Sequence, residues 1–207
     1  MRNVIIVGDG GHSKVVRECL EQQGVYTITG ILDNKYTSYE EKGGQFHAPF
    51  SDFEQFKNEE TLWFIAIGDN KARAEVAAKL GDVSYATIIH PTAIVSKTAM
   101  IEPGSIIMPL AVIQPDSVIG SHTIINTGAI IEHDVIISEA AHVSPRATVT
   151  GGVKIGARVH VGASAVVNPG LHLGDYSIIG AGAVVVGDTE PGGTYVGVPA
   201  RKLEKQP

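Results

Sequence analysis

From residue 101 the sequence reads IEPGSI-IMPLAV-IQPDSV-IGSHTI-INTGAI-IEHDVI, with an aliphatic residue at the first position of every six. The period continues without a break to Val185. The aliphatic positions are Ile101, Ile107, Ile113, Ile119, Ile125, Ile131, Ile137, Val143, Val149, Ile155, Val161, Val167, Leu173, Ile179 and Val185. A period of six does not fit a helix of 3.6 residues per turn, but in an extended chain it keeps these side chains on one side. The stretch therefore predicts an internal repeat that winds into a prism.

A second, usually small residue lies two positions before most of these aliphatic residues, and it shares their side of an extended chain. These small residues are Ser105, Ala111, Ser117, Thr123, Ala129, Ala141, Ala147, Ala165, Ser177 and Ala183. One large and one small inward side chain per repeat predicts a narrow interior. The aromatic content of only 6% agrees with an interior that has no room for rings.

Composition excludes several classes of function. The 207 residues are enough for two modest domains, and the net charge of −6 without a basic run argues against a nucleic-acid partner. No stretch is apolar for long enough to span a membrane, and we expect no membrane insertion. A lone cysteine, Cys19, favours a reducing compartment, so we expect a cytoplasmic protein.

The first 85 residues follow a different pattern. Apolar strands near 4–7, 27–32 and 62–67 alternate with helices over 13–23 and 71–80, and a short helix is possible near 52–57. This alternation predicts a small parallel sheet. We expect a Rossmann-like α/β domain over residues 1–85, followed by an all-β prism with a C-terminal tail over residues 86–207.

Glycine and polar residues follow the three predicted strands of this sheet. They are Gly10, Gly11 and His12, then Asp33 and Asn34, then Gly68. Because the carboxyl ends of parallel strands form the usual ligand edge, these residues predict a substrate site, with the glycine turn suited to a phosphate. The alternatives are an ordinary strand–helix connection and, for Asp33, a turn residue. Ser13 stands where the dinucleotide fingerprint requires glycine, which disfavours an NAD-dependent enzyme.

The repeat resembles that of the hexapeptide-repeat acyltransferases, with glycine after the aliphatic position at Gly120, Gly156, Gly162, Gly174 and Gly180. The resemblance implies a left-handed parallel β-helix with three hexapeptides per coil, and assembly as a trimer. Its handedness comes from the resemblance alone, because the general rule for parallel crossovers is right-handed. Fifteen repeats correspond to about five coils and a prism about 25 Å tall.

Further residues narrow the resemblance. The segment Glu132-His133-Asp134, the later His142 and the N-terminal glycine turn are similar to bacterial sugar acetyltransferases. The closest subgroup acts on UDP-4-amino-4,6-dideoxy sugars on the route to bacillosamine-type glycans and exopolysaccharides, and a related branch O-acetylates sialic acid. The resemblance implies acetyl-CoA as cosubstrate and a UDP-amino-sugar at the sheet edge, where Asp33 and Asn34 suit uracil or ribose hydroxyls.

Acetyl transfer needs a base for the acceptor's proton, and neutral imidazole suits that task. We expect His133 to be this base, with Asp134 or Glu132 orienting its ring. The family usually has Glu after this histidine, so the contact of the shorter Asp134 stays open. The resemblance places His142 near the thioester. It also places main-chain groups around Gly151, Ala163 and Ala181 along the pantetheine arm.

His133 and His142 are nine residues apart, which is half of an 18-residue coil and places them on different sides of one prism. They can share a site only across subunits, so we predict three active sites per trimer, each between two chains. The acceptor attacks the thioester directly, without an acyl-enzyme.

Two alternatives stay open at this point, and a metal site is not expected. The chain could O-acetylate a sugar such as sialic acid, or it could be a trimeric scaffold that binds nucleotides without catalysis. His142 and His160 are one coil apart and should stack, but no third histidine completes a zinc-binding set.

Overall fold

A computed structural model describes residues 1–204. Its N-terminal unit is a five-stranded sheet in the order β3-β4-β2-β1-β5, with two helices and one short 3₁₀ helix. The elements are β1 (Arg2–Val7), α1 (Gly11–Gln23), β2 (Tyr26–Leu32), β3 (Glu40–Lys42), β4 (Gln45–Ala48), the 3₁₀ helix (Phe50–Phe56), β5 (Leu62–Ile65) and α2 (Asn70–Leu80). Strands β2, β1 and β5 are parallel neighbours, as the strand–helix alternation predicts.

The sheet is larger than the sequence predicts. Strand β4 pairs parallel with β2, and β3 pairs antiparallel with β4, where the sequence indicates only loops. The turn between them is Gly43-Gly44, and both glycines have a positive φ, of 63° and 78°. A two-residue glycine turn is typical of a tight hairpin, so the pair Gly43-Gly44 indicates this hairpin in the sequence.

The prism is built from two-residue strands on three faces. The docked face, against which the N-terminal unit packs, contains Ile88–Ile89, Ile106–Ile107, Ile124–Ile125, His142–Val143, His160–Val161 and Ile178–Ile179, extended by Thr194–Val196 and Arg201–Lys202. The apolar face contains Ile94–Val95, Val112–Ile113, Ile130–Ile131, Thr148–Val149, Val166–Val167 and Val184–Val185. The mixed face contains Met100–Ile101, Val118–Ile119, Ile136–Ile137, Lys154–Ile155 and His172–Leu173.

From Ile88–Ile89 to Val166–Val167, each strand of the prism pairs in parallel with the strand 18 residues later, for example Val112 with Ile130. From Ile107 to Val185 the second residue of each strand is buried and the first points outward. The aliphatic residues of the repeat thus stack into one continuous core. The predicted fold class, an α/β unit followed by a left-handed parallel β-helix, is confirmed. The prism begins at Ile88, two strands before the uninterrupted series.

The prism has three edges, where the chain turns from one face to the next, and a left-handed residue lies at every sixth position. On the docked edge, between the mixed and docked faces, these residues are Gly104, His122, Ala140, Arg158 and Tyr176. On the histidine edge, between the apolar and mixed faces, they are Asp116, Asp134, Gly152 and Gly170. On the open edge, between the docked and apolar faces, they are Leu110, Gly128, Arg146, Ser164 and Gly182.

Main-chain hydrogen bonds hold these edges. The amide of Asp134 donates to Pro115 O at 3.1 Å, and the amide of Arg158 donates to Glu139 O at 2.9 Å. A left-handed conformation costs about 1 kcal/mol at a residue other than glycine. The main-chain hydrogen bonds between successive coils offset that cost at each turn.

Glycine is needed for a different reason after the aliphatic position. A Cβ on Gly162 would lie 2.5 Å from the main-chain nitrogen of Ala181 in the next coil. Close approach of successive coils therefore selects glycine at this position.

The N-terminal unit packs on the lower coils of the docked face. Val16 and Leu20 of α1 belong to one buried cluster with Ile106 and Ile124 of the prism, and Cys19 contacts Met108 there. This packing brings the carboxyl edge of the sheet toward the middle coils, where His142 and His160 point outward. Within residues 1–204, no helix combines the length and the apolar character needed to cross a membrane.

Candidate active site

His133 and Asp134 form a hydrogen-bonded pair at the turn of the histidine edge. Nδ1 of His133 lies 2.7 Å from a carboxylate oxygen of Asp134, and both side chains are almost two-thirds exposed. Asp134 takes the left-handed position, with φ of 59°. The pair is thus formed by two consecutive residues of one rigid turn.

The electrostatics of this pair favour a base. The hydrogen bond to Asp134 raises the pKa of His133 above its usual value, and the charges of Asp134 and Glu132 add to that effect. With Nδ1 engaged, Nε2 is the ring atom left to accept a proton. The sequence left open whether Asp134 or Glu132 orients the ring of His133. In the structure Asp134 contacts the ring, whereas Glu132 acts only through its charge.

Gly151 lies one coil above His133, with the imidazole ring against it. A Cβ on Gly151 would lie 2.7 Å from both Cε1 and Nε2 of His133, so a side chain there would displace the ring. The structure therefore brings together three of the predicted residues: His133, Asp134 and Gly151.

His142 lies elsewhere, on the docked face. Its Nε2 is 3.0 Å from the side-chain nitrogen Nδ2 of Asn126. Its ring meets the ring of His160 edge-on, and the two ring centroids are 5.0 Å apart. Burial lowers the pKa of His142 to about 3, and electrostatic repulsion from His160, Arg73 and His12 in their protonated forms adds to this effect. The ring is therefore neutral near pH 7. The stacking of His142 and His160 predicted from their spacing is observed.

Within one chain the two candidate histidines do not share a site. The histidine edge is the edge that the docked face does not border. The remaining predicted CoA-binding residues, Ala163 and Ala181, lie on the open edge, where the amide of Gly182 donates to Ala163 O. The apolar face is therefore bordered by predicted site residues on both sides. His133 and Gly151 lie along its histidine edge, and Ala163 and Ala181 lie along its open edge.

The N-terminal residues predicted to bind substrate lie at the carboxyl edge of the sheet. Among residues 1–204, no side chain caps α1 at Gly10 and Gly11, and apart from adjacent residues and the helix backbone no atom lies within 4 Å of a Cβ placed on either glycine. The first amides of this 13-residue helix are thus open to a ligand. His12 packs against Gly68, and burial together with the charge of Arg73 lowers the pKa of His12 to about 4.

Asp33 fits the turn interpretation better than free recognition of a nucleotide. One carboxylate oxygen accepts from the amide of Asp9 at 2.6 Å, and the other accepts from the amide of Lys35 at 2.9 Å. Both oxygens thus order the loops at the sheet edge. The neighbouring Asn34 is exposed.

The sequence analysis missed Asp9, which occupies the centre of a charged cluster at this edge. It forms ion pairs with Arg17 at 3.0 Å and Lys35 at 2.6 Å, and Tyr36 donates a hydrogen bond to it. Burial opposes ionisation of Asp9, but hydrogen bonds from Lys35 and Tyr36 and the charge of Arg17 hold its pKa below the usual value.

A cavity of about 550 Å³ lies between the N-terminal unit and the docked face. Its lining includes Gly68, Asp69, Lys71, Arg158, His160 and Tyr176. The volume is in the range of small-ligand sites. Within the described part of the chain, no group of three or more His, Cys, Asp or Glu side chains is arranged to hold a metal ion.

Comparison with known families matches both parts of the chain. Residues 3–80 match the PglD N-terminal domain. Residues 98–133 and 152–187 match the bacterial transferase hexapeptide family of six repeats.

Individual relatives give a consistent picture. A UDP-N-acetylbacillosamine N-acetyltransferase of Bacillus subtilis is 42% identical over 105 residues, which span 49% of each chain, so the match covers about half the length of this curated relative. The crystal structure of PerB from Caulobacter crescentus, in complex with CoA and GDP-perosamine, superposes with a TM-score of 0.91 at 35% identity, covering 99% of this chain and 98% of that one. The acetyltransferase domain of PglB from Neisseria gonorrhoeae, in complex with acetyl coenzyme A, gives a TM-score of 0.86 at 33% identity, with coverage of 98% and 99%.

Proposed function

Because this chain belongs to the hexapeptide-repeat family of nucleotide-sugar N-acetyltransferases, as its sequence predicted, we propose that it acetylates the amino group of a nucleotide-linked amino sugar. Acetyl-CoA is the donor, and a UDP-linked 4-amino-4,6-dideoxy sugar is the acceptor class that we favour. The observation that carries the proposal is the exposed His133–Asp134 pair, in which Asp134 holds Nδ1 of His133 and Nε2 has no hydrogen-bond partner within residues 1–204.

The chemistry follows from this pair. The sugar amine attacks the thioester carbonyl, the new C–N bond forms, and the C–S bond then breaks. Nε2 of His133 takes the proton that the amine loses and returns it to the departing sulfur. The carboxylate of Asp134 fixes the ring through Nδ1 and stabilises the imidazolium while it exists. No acyl-enzyme is needed, and Cys19 is buried away from this turn.

We assign the two substrates to different parts of the chain. Residues 1–85 bind the nucleotide sugar, with the open amides of Gly10 and Gly11 suited to its diphosphate. Residues 86–207 form the acetyl-transfer domain, with Gly151, Ala163 and Ala181 along the pantetheine arm. The neutral ring of His142 is suited to hydrogen bonding rather than to ion pairing. A cytoplasmic location remains a prediction, and the free thiol of Cys19 is compatible with it.

We further propose a homotrimer with active sites between subunits. The outward residues of the apolar face are Ile94, Val112, Ile130, Thr148, Val166 and Val184, and none of them is charged. An uncharged face of this kind favours burial against another copy. In a closed threefold ring, contact is heterologous, so the histidine edge of one copy meets the open edge of the next. That contact would bring His133 of one chain to Ala163 and Ala181 of another.

The test is release of free CoA thiol from acetyl-CoA with a panel of acceptors: UDP- and GDP-linked 4-amino sugars and free sialic acid. We expect turnover with an amino-sugar nucleotide and none with sialic acid. Turnover with sialic acid alone would replace N-acetylation by O-acetylation. Absence of turnover with every acceptor, in a protein that still binds nucleotides, would favour the non-catalytic scaffold.

A further inference from the structure

We propose that Arg73 and Asn70 are positioning residues that clamp the Gly68 loop to the prism and so set the acceptor-binding geometry. This inference rests on the proposed function for the identity of the acceptor. The clamp itself is defined by hydrogen bonds between α2, the loop before it and the docked edge.

Arg73 is the centre of the clamp and is only 1% exposed. Toward the loop, its Nη1 donates to the carbonyls of Ile67 at 3.0 Å and Gly68 at 3.1 Å. Toward the prism, Nε donates to His122 O at 2.7 Å, and Nη2 donates to Ala140 O at 2.9 Å. One guanidinium group thus holds carbonyls of both units.

Asn70 extends the clamp by one coil. Its Oδ1 accepts from Nη2 of Arg73 at 2.7 Å, and its Nδ2 donates to Arg158 O and Val159 O, both at 3.0 Å. His122, Ala140 and Arg158 are spaced by 18 residues, and all three are the left-handed residues of the docked edge. The pair Asn70 and Arg73 therefore engages the same carbonyl position of three successive coils.

The charge of Arg73 points to a role beyond holding the fold together. Burying a guanidinium is costly, and an apolar residue of similar size usually serves stability as well or better. Among the described residues, the groups that accept from Arg73 are main-chain carbonyls and the side-chain amide oxygen of Asn70, and none is a carboxylate. The planar guanidinium group of Arg73 fixes the orientation of the Ile67–Gly68 main chain. An apolar side chain would not do this.

That orientation matters for the proposed acceptor site. Gly68 and Asp69 line the 550 Å³ cavity together with Lys71. Gly68 also packs against His12, at the start of α1. A small shift of the loop would move all of these groups relative to His160 on the prism, so acceptor binding should be sensitive to the clamp.

The experiment compares Arg73→Lys and Asn70→Ala with Glu75→Gln, a control on the same helix that breaks no bond of the clamp and loses only a long, exposed ion pair with Lys71. Arg73→Lys keeps the charge but loses the fork. We expect the KM for the amino-sugar nucleotide to rise about tenfold or more, while the KM for acetyl-CoA changes by less than about twofold. Asn70→Ala should have a smaller effect in the same direction, and Glu75→Gln should have none.

Hydrogen–deuterium exchange at residues 66–69 provides a readout that does not depend on activity. We expect faster exchange in Arg73→Lys than in the wild type or Glu75→Gln, at a temperature where all three remain folded. Unchanged exchange, or an equal rise in both KM values, would overturn the inference. A wild type that acetylates no amino-sugar nucleotide would refute the proposed function, whereas exchange would still decide whether the clamp holds the loop.

Discussion

Two edges of the prism share one backbone and serve different purposes. On the docked edge, the carbonyls of His122, Ala140 and Arg158 are bound by Arg73 and Asn70 beneath α2. On the histidine edge, the turn at Asp134 has the same left-handed conformation, yet its side chains face solvent. The repeat therefore determines the backbone of both edges, and the outward side chains determine what each edge does.

This difference has a practical meaning for substitutions. The exposed pair His133–Asp134 contributes little to packing, so its replacement should remove activity and leave the fold intact. The docked edge is covered by α2 at His122, Ala140 and Arg158, so replacement of the polar residues that meet there should affect stability and the placement of the N-terminal unit. Each prediction below tests one side of this contrast.

The largest effect is expected for His133→Gln. Loss of a general base lowers turnover by about 10²- to 10⁴-fold, and we expect a fall in kcat within that range with an unchanged thermal midpoint. The measurement is CoA thiol release with the best amino-sugar nucleotide. His172→Gln, at an exposed histidine of the mixed face, is the matched control and should retain wild-type turnover. A fall of less than about tenfold in His133→Gln would remove His133 from the mechanism.

A smaller effect is expected for Asp134→Ala, on the order of tenfold in kcat/KM. The hydrogen bond to Asp134 raises the pKa of His133, and activity requires the neutral ring, so wild-type activity is lost as the pH falls through that raised value. Without the carboxylate the pKa drops, and the acid limb of the pH profile moves to lower pH. A profile from pH 5 to 9 checks this, and an acid limb at the same pH in both proteins would contradict the assigned role of Asp134.

The last prediction concerns the acid stability of the contact between the N-terminal unit and the prism. Burial lowers the pKa of His12 and His122 to about 4 and that of His142 to about 3, below the unfolded value of about 6.5. The unfolded chain therefore binds more protons between about pH 6.5 and pH 4, and stability falls as the pH is lowered through that window. We expect the thermal midpoint to fall by on the order of ten degrees between pH 7.5 and 5.

A variant assigns this acid sensitivity to the buried histidines. His122→Gln removes one of them and should flatten the dependence of the thermal midpoint on pH, whereas the exposed His172→Gln should leave it unchanged. Equal slopes in His122→Gln and the wild type would show that the sensitivity arises elsewhere.

The prism could be predicted from sequence because its signal is periodic. A single aliphatic position, repeated from Ile101 to Val185, is enough to place every strand of that stretch. The His133–Asp134 contact was also within reach, since neighbours on one tight turn meet without long-range information. The hairpin of β3 and β4 could not be predicted with the same ease, because β3 consists of charged residues and lacks the apolar alternation that normally flanks a glycine turn such as Gly43-Gly44.

The polar contacts between the two units could not be predicted. Arg73 lies in a helix next to alanine and glutamate, where an arginine normally faces solvent. Its burial depends on carbonyls of Ala140 and His122, far away in sequence. Asp33 was ambiguous for a similar reason, because its partner Asp9 lies 24 residues earlier. Side chains that bridge separate segments leave no periodic trace.

Subunit complementation is the most direct test of active sites shared between copies of the chain. His133→Gln disables the histidine edge, and Ala163→Trp blocks the open edge, so each variant alone should be inactive. When the two are unfolded, mixed in equal amounts and refolded, about a quarter of the interfaces in a closed threefold ring pair an intact edge with an intact edge. We predict recovery of about that fraction of wild-type CoA release, and a mixture as inactive as its parents would contradict the account.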